Sequence, residues 1–304
     1  MPEVTVVIPL FEKGPHIARA LDSVLSQTFA DFEVVVVDDG STDDGKQVVT
    51  KYLGDPRIRL LVQENRGVSA ARNRGIDEAF TDFIAFLDAD DEWAPDHLEI
   101  LVRLRMKFPG AGICTTAFRR VLEDGRIVFP RYEGIPSPPW EGILEDYFKS
   151  ASLGAQPVWT SAAAVPLAVF RQIGLFRVGI SRGEDLDMWG RIAMFYPVAF
   201  SWEGIGYYRK DATQRTCDKV PMQESHPFLD SVREHYGSES RAPYFVRYYL
   251  NRKRLERTSH LIAAGKKMEA VRYLLSPPPF PCSMRSFRKI LSRLLGRGKT
   301  NPQE

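Results

Sequence analysis

Short apolar runs that end abruptly in acid constrain this chain more than any other feature. Residues 4–10 read VTVVIPL, 32–41 FEVVVVDDGS and 82–90 DFIAFLDAD. A strand with one wet face alternates polar and apolar side chains, whereas a continuous apolar run belongs to a strand covered on both faces. Between these runs the period changes. HIARALDSVLSQ spaces Ile17, Leu21, Val24 and Leu25 at helical intervals, and a second helix runs through Val48, Val49 and Tyr52. IRLLVQ (58–63) returns to strand, and the small-residue segment GVSAARNRGIDEA (67–79) is helical again. Strand–helix alternation at this pace predicts βαβ units: an α/β, Rossmann-like, mostly parallel sheet flanked by helices.

Ligands of such sheets sit at the carboxyl ends of the strands. The acidic terminations Asp38-Asp39, Glu64 and Asp88-Asp90-Asp91 are therefore candidates for one shared rim. The stretch FLDADDEW (86–93) is the sharpest of them, with four carboxylates in five positions. Charges that repel one another this closely need either a solvated turn or a positive centre.

The middle of the chain is less regular. It holds a hairpin around Glu123-Asp124-Gly125, a Pro-rich loop GIPSPPW (134–140) and a helix GEDLDMWGRIAMF (183–195). Residues 150–170 carry no charge, but Gln156, Thr160, Pro157 and Pro166 make a poor membrane span, so the expectation is a buried loop and strand. From about residue 225 the pattern is helical, broken at SPPPFPC (276–282). Charge is unevenly distributed: residues 1–240 hold 26 Lys and Arg against 36 Asp and Glu, and residues 241–304 hold 15 against 3. Cys114, Cys217 and Cys282 lie far apart without metal or redox spacing, and the N-terminus has no basic signal-like region. Both point to a reducing, cytoplasmic setting. The five histidines do not cluster.

Four segments in order resemble the successive motifs of family 2 glycosyltransferases: VTVVIPLFEKGPHIARALDSVLSQTFADFEVVVVDDGSTD, ENRGVSAARNRGI, FIAFLDADDEW and GEDLDMWGR. The likeness is dense over 3–97, recurs at 183–191 and fades beyond 215. It implies the GT-A fold and a nucleotide-sugar-dependent, inverting reaction. The catalytic domain would span 1–215, with a nucleotide-binding half (1–110) and an acceptor-binding half (111–215). A helical, basic extension (216–304) would follow.

Glycosyl transfer expels a diphosphate, and a hard divalent cation neutralises its charge. Mg²⁺ or Mn²⁺ is held by one or two carboxylates plus substrate phosphates. By likeness to the family's Asp-X-Asp signature, Asp90 is the expected direct ligand. Asp88 would contact the ribose or the metal's water shell, with Asp91 a second candidate ligand. Asp39 matches the family's base-recognition corner, where a carboxylate accepts an N–H of uracil or guanine, and the backbone of Pro9 would line the same pocket. Arg72 would reach the nucleotide or diphosphate, or stand as an exposed helix arginine. The general base falls on the Asp185 of an acid pair, with Glu184 the alternative; both also suit the first turn of a helix. Asp187 and Trp189 would shape the acceptor pocket or the core. Many relatives carry a metal-ligating His where this chain has Asp211, which could bind the ion through oxygen.

The donor could carry UDP, GDP or dTDP, and the acceptor would be a glycan or lipid-linked hydroxyl, with no nucleic-acid partner. No QxxRW signature of processive synthases is present, which favours addition of a single sugar. A nucleotidyltransferase would need a glycine-rich basic loop after the first strand, and PLFEKGPH is not one. A non-catalytic nucleotide-sugar-binding module is the other alternative. In the tail, Met284, Phe287, Ile290, Leu291, Leu294 and Leu295 share one helical face, with six cations on the rest of 283–299. Such a helix either lies peripherally on an anionic membrane surface or packs on the protein.

Overall fold

A computed structural model describes residues 2–210, 212 and 226–275. The chain divides into two compact units, residues 1–221 and 222–304.

The first unit opens with β1 (Val4–Leu10), α1 (Gly14–Leu25), β2 (Phe32–Asp38), α2 (Gly45–Thr50), β3 (Ile58–Val62), α3 (Val68–Asp77) and β4 (Phe83–Phe86). These four strands are parallel, in the order β3-β2-β1-β4. Every residue of β1 and β2 is buried, as their unbroken apolar runs require. One sheet face, carrying Val6, Ile8, Val34 and Val36, packs with Ile17, Leu21 and Val24 of α1. The other face, carrying Val35 and Val37, packs with Ala71 of α3. Gly75 lets α3 press onto the sheet, because a β-carbon there would overlap the side chain of Val7.

The second half of the unit adds β5 (Glu92–Trp93), α4 (His97–Lys107), β6 (Ile113–Val121), β7 (Ile127–Val128), β8 (Glu141–Ile143) and α5 (Tyr147–Leu153). It closes with β9 (Ala163–Pro166), α6 (Leu167–Ile173), α7 (Glu184–Ala193) and β10 (Val198–Arg209). The main path through the sheet is β3-β2-β1-β4-β9-β6-β10-β5. Its parallel character is confined to the first four strands and the β6–β10 pair; β9 runs antiparallel to both β4 and β6. This strand explains the uncharged stretch 150–170, because Ala163, Ala164 and Val165 lie fully buried inside the sheet. The hairpin expected at 123–125 joins β6 to β7.

The second unit contains α8 (Phe228–Tyr236), α9 (Tyr244–Ala263) and α10 (Lys267–Leu275). Its buried apolar residues include Phe228, Val232, Val246 and Tyr249. The break at 276–282 and the amphipathic segment 283–299 lie outside the described residues. Among the described residues no helix is long and apolar enough to cross a membrane.

Candidate active site

Parallel strands end on one edge, so Asp38-Asp39 at the end of β2 and Asp88 after β4 share a rim. One strand, β1, lies between them, which places the two ends about 10 Å apart. Pro9 opens this edge. The β1–β4 ladder ends as Leu87 N–H donates to the Val7 carbonyl, and Pro9, the next β1 residue facing β4, has no N–H to extend it. By the alternation of the ladder the Pro9 carbonyl, like that of Val7, points to the β4 side.

Asp39 is buried and organises the loop after β3. Its Oδ1 accepts from Gln63 Nε2 (2.7 Å) and Arg66 N (2.9 Å), and its Oδ2 accepts from Gly67 N (2.8 Å). A carboxylate offers about four acceptor sites, so Oδ2 keeps one more. Gly40, at φ +77°, lets the same loop close in: a β-carbon there would stand 2.9 Å from Asn65 N. Glu64 is exposed in this loop, and Asp38 Oδ1 accepts from Ser41 N at 3.0 Å. Phe11 is a residue that sequence reasoning passed over. It follows β1 directly, 45% exposed, beside the Leu10 carbonyl that accepts from Asp39 N. An exposed aromatic ring among otherwise buried strand ends was the available signal.

Helix α3 carries this corner across to the other acids. Its N-terminus is tied to Asp39 through Gly67, and Arg72 comes about 7.5 Å further along the axis. Arg72 is not an exposed helix arginine. It is buried, and its two amino groups donate to Asp88 Oδ1 (2.8 Å) and Glu184 Oε1 (2.9 Å). Burial works against its charge, yet Asp88 and Glu184 outweigh it and hold the guanidinium protonated, with its pKa raised. Its Nε is buried without a partner among the described residues.

Glu184 and Asp185 open α7, preceded by Gly183 in the left-handed region at φ +86°. Asp185 is half-buried and accepts from Leu186 N at 2.8 Å. Burial, and then the neighbouring Glu184 charge, push its carboxyl up to about 6; Arg72 opposes them and Asp88 adds a little. Asp88, Arg72, Glu184 and Asp185 thus lie together at one place on the rim. Asp187 and Trp189 belong to the core: Asp187 pairs with Arg191 at 2.9 Å, and Trp189 packs against Phe86 and Phe176.

The three aspartates of the 88–91 cluster stand in different environments, Asp88 on Arg72, Asp90 on Lys13 and Asp91 on Ser161. Asp90 pairs through Oδ2 with Lys13 Nζ at 2.6 Å, and its carbonyl accepts from Arg19 at 3.0 Å. Asp91 is buried, with Oδ2 accepting from Ser161 Oγ (2.7 Å) and Oδ1 from Arg209 N (3.0 Å). Burial, then the charges of Asp90 and Asp88, raise its pKa well above the usual carboxylate range. Ser161 Oγ in turn accepts from Asp88 N at 3.1 Å. Neither Lys13 nor Ser161 stood out in the sequence, since nothing local ties them to residues more than seventy positions away. Asp211 lies outside the described residues.

A sequence profile described as "Glycosyl transferase family 2" matches residues 5–156, half of the chain. The chain belongs to this family. Among its relatives, an uncharacterized glycosyltransferase of Rickettsia felis is 33% identical over 196 residues, 63% of this chain and 30% of that protein. Chondroitin synthase of Pasteurella multocida is 34% identical over 133 residues, 43% of this chain and 14% of the synthase. The chain thus spans under a third of the length of the curated relatives it matches first. Among solved structures, S. aureus TarS 1–349 in complex with UDP-GlcNAc superposes with a TM-score of 0.70 at 19% identity, covering 90% of this chain and 79% of that one. The mannosyltransferase PcManGT from Pyrobaculum calidifontis, in complex with GDP-Man and Mn²⁺, gives 0.59 at 21% identity, covering 90% and 74%. The fold is the GT-A fold of these glycosyltransferases.

Proposed function

We propose that this family 2 chain is an inverting glycosyltransferase that moves one sugar from a nucleoside-diphosphate sugar to a hydroxyl of a glycan or lipid-linked acceptor. The reading is carried by the Arg72 bridge, which joins the Asp-X-Asp loop to the acid pair of α7. The nucleotide lies along 1–110, with the acceptor on the side built by 111–215.

Phe11 stacks on the base, as aromatic rings do with any base, and the remaining acceptor site of Asp39 Oδ2 takes an imide N–H of uracil or guanine. The Pro9 carbonyl lines the pocket between them. Arg72 is a positioning residue, since both its amino groups are committed to protein carboxylates. Glu184 is committed to Arg72, which leaves Asp185 as the base. Asp185 takes the proton of the acceptor hydroxyl while that oxygen attacks the anomeric carbon from the face opposite the diphosphate. The new C–O bond forms as the bond to the diphosphate oxygen breaks, and the diphosphate leaves with the electron pair. A solvent-screened carboxylate is a weaker base than this half-buried one, which remains ionised at neutral pH.

The donor set fits a hard divalent ion. Among the described residues no group of three acidic, histidine or cysteine ligands converges, and Asp88 Oδ2 and Asp90 Oδ1 accept no hydrogen bond. Two carboxylates supplemented by phosphates are the usual holding of Mg²⁺ or Mn²⁺. Asp90 and Asp88 would hold the ion, which when bound neutralises charge on the diphosphate. Asp91 has both oxygens engaged by Ser161 and Arg209, so it supports the loop. Asp211 is retained as an additional oxygen ligand, and the tail 283–299 as the contact with an anionic membrane surface.

Asp185→Asn tests the assignment. Transfer from UDP- and GDP-sugars should fall by about 10²–10⁴-fold, the usual worth of a positioned base. Nucleotide binding by calorimetry should stay within about twofold of the parent protein. Near-normal turnover would remove Asp185 as base.

A further inference from the structure

The ends of β6 and β10 run side by side, and their side chains build a part-exposed aromatic shelf with a cation in it. In this register Phe118 lies level with Gly206 and Arg120 with Tyr208, so these four positions share a face. Gly206 has no side chain there, and the indole of Trp159 fills the place: a β-carbon on Gly206 would stand 3.0 Å from Trp159 Cζ3. The indole also packs against Phe118, with centroids 4.9 Å apart, and against Tyr208 at 5.4 Å. Phe118 is buried beneath, whereas Trp159, Tyr208 and Arg120 are each part-exposed.

Arg120 rests on an aromatic ring rather than on an acid. Its guanidinium carbon lies 5.8 Å from the Phe118 ring centroid. Among the described residues its Nε is buried without a partner and no carboxylate pairs with it. Asp124 pairs with Arg126 (2.6 Å), Glu133 with Arg131 (2.7 Å) and Glu92 with Arg209 (3.2 Å). The planar fork of an arginine matches a carboxylate or a phosphate, and a fork already laid on a ring loses little freedom in gripping one.

The shelf is tied to the Asp-X-Asp loop. The Trp159 carbonyl accepts from Ala162 N at 2.9 Å, closing a single turn that contains Ser161. The Ser161 hydroxyl joins Asp88 N to Asp91, so the indole stands two positions from the residue that braces this loop. A sugar ring offers a patch of C–H groups to an aromatic face, a contact that removes apolar surface from water on both sides.

We propose that Trp159 and Arg120 form a subsite for an acidic acceptor: a sugar ring of the acceptor lies on the indole, and its carboxylate or phosphate is gripped by the guanidinium. This deepens the acceptor reading above, on which it rests, by giving the acceptor an anionic group. Arg119, one position earlier, points to the opposite face of the strand and lies 4.6 Å from the Phe129 ring centroid, apart from the indole.

Glucose, glucuronate and glucose 6-phosphate present one ring with no charge, a carboxylate or a phosphate. Their binding to the full chain is read by saturation-transfer NMR titration at low salt. One of the charged hexoses should bind about tenfold more tightly than glucose, and which one it is names the acceptor's group. Arg120→Gln should remove that preference, Arg119→Gln, with the same loss of charge, should keep it, and Trp159→Ala should weaken the charged hexose by about tenfold. The rise in Tm given by UDP, GDP or dTDP with Mn²⁺ should be the same in the parent protein and all three variants. No preference for either charged hexose, or one that survives in Arg120→Gln, overturns the subsite, and a nucleotide response in the same samples leaves the donor reading standing. A preference lost in Arg120→Gln alone, with no nucleotide response in any sample, upholds the subsite and overturns the donor reading. Equal loss in Arg120→Gln and Arg119→Gln overturns the shelf as the site of recognition.

Discussion

A carboxylate at its ordinary pKa is ionised at neutral pH but accepts a proton reluctantly. Asp185 moves toward the useful range because it is half-buried beside Glu184, and its carboxyl is pushed up to about 6. In the proposed mechanism only ionised Asp185 can take the acceptor proton, so the effect on rate has one sign. Log kcat/KM should fall with unit slope as pH drops below about 6 and level off above it, which an initial-rate profile between pH 5 and 8 would show. A flat profile across that window would mean that no group with this pKa serves as base in the free enzyme. The Asp-Asp and Glu-Asp motifs were legible because their residue types and spacings are local. Arg72 was legible as a candidate but not as a bridge, since its partners come from two other elements and only the folded chain brings them to 2.8 and 2.9 Å.

Helix α3 is the element on which the site depends, because it is anchored at Asp39 and delivers Arg72 to Asp88 and Glu184. Its fit against β1 relies on Gly75, where a β-carbon would overlap Val7. Gly75→Ala sets two effects against each other. Alanine is favoured in a helix by about 1 kcal/mol, while forcing a methyl into a packed contact costs roughly 1–3 kcal/mol. Overlap with a branched side chain held in a buried strand puts this case at the upper end, so urea denaturation should show a net loss of about 1–2 kcal/mol. Val7→Ala in the same chain should recover much of it, as expected of directly touching residues. The strands and helices of the first half were legible because burial on both faces leaves an unbroken apolar run. Strand β9 was harder to read. It is four residues long, runs against its neighbours and pairs with β4 and β6, each more than forty positions away.

Across the whole chain, charge separates an acidic body from a basic C-terminal stretch, 15 Lys and Arg against 3 acids in residues 241–304. Basic residues near an anionic leaflet contribute about 1 kcal/mol each, screened by salt. Deleting residues 283–304 should therefore abolish co-sedimentation with phosphatidylserine vesicles at low salt while leaving transfer to a water-soluble acceptor unchanged. Undiminished sedimentation would refute the membrane role of the tail. Within the first unit, the hydroxyl of Ser161 ties Asp88 N to Asp91, and Asp91 in turn holds Arg209 at the end of β10. The 39 residues between the end of β6 and Ser161 are pinned to the sheet at β7, which pairs with β6, and at β8, which pairs with β10. On the proposed reading its loops form an interchangeable cassette for a new acceptor, while Asp88 and Asp91 stay tied to Ser161.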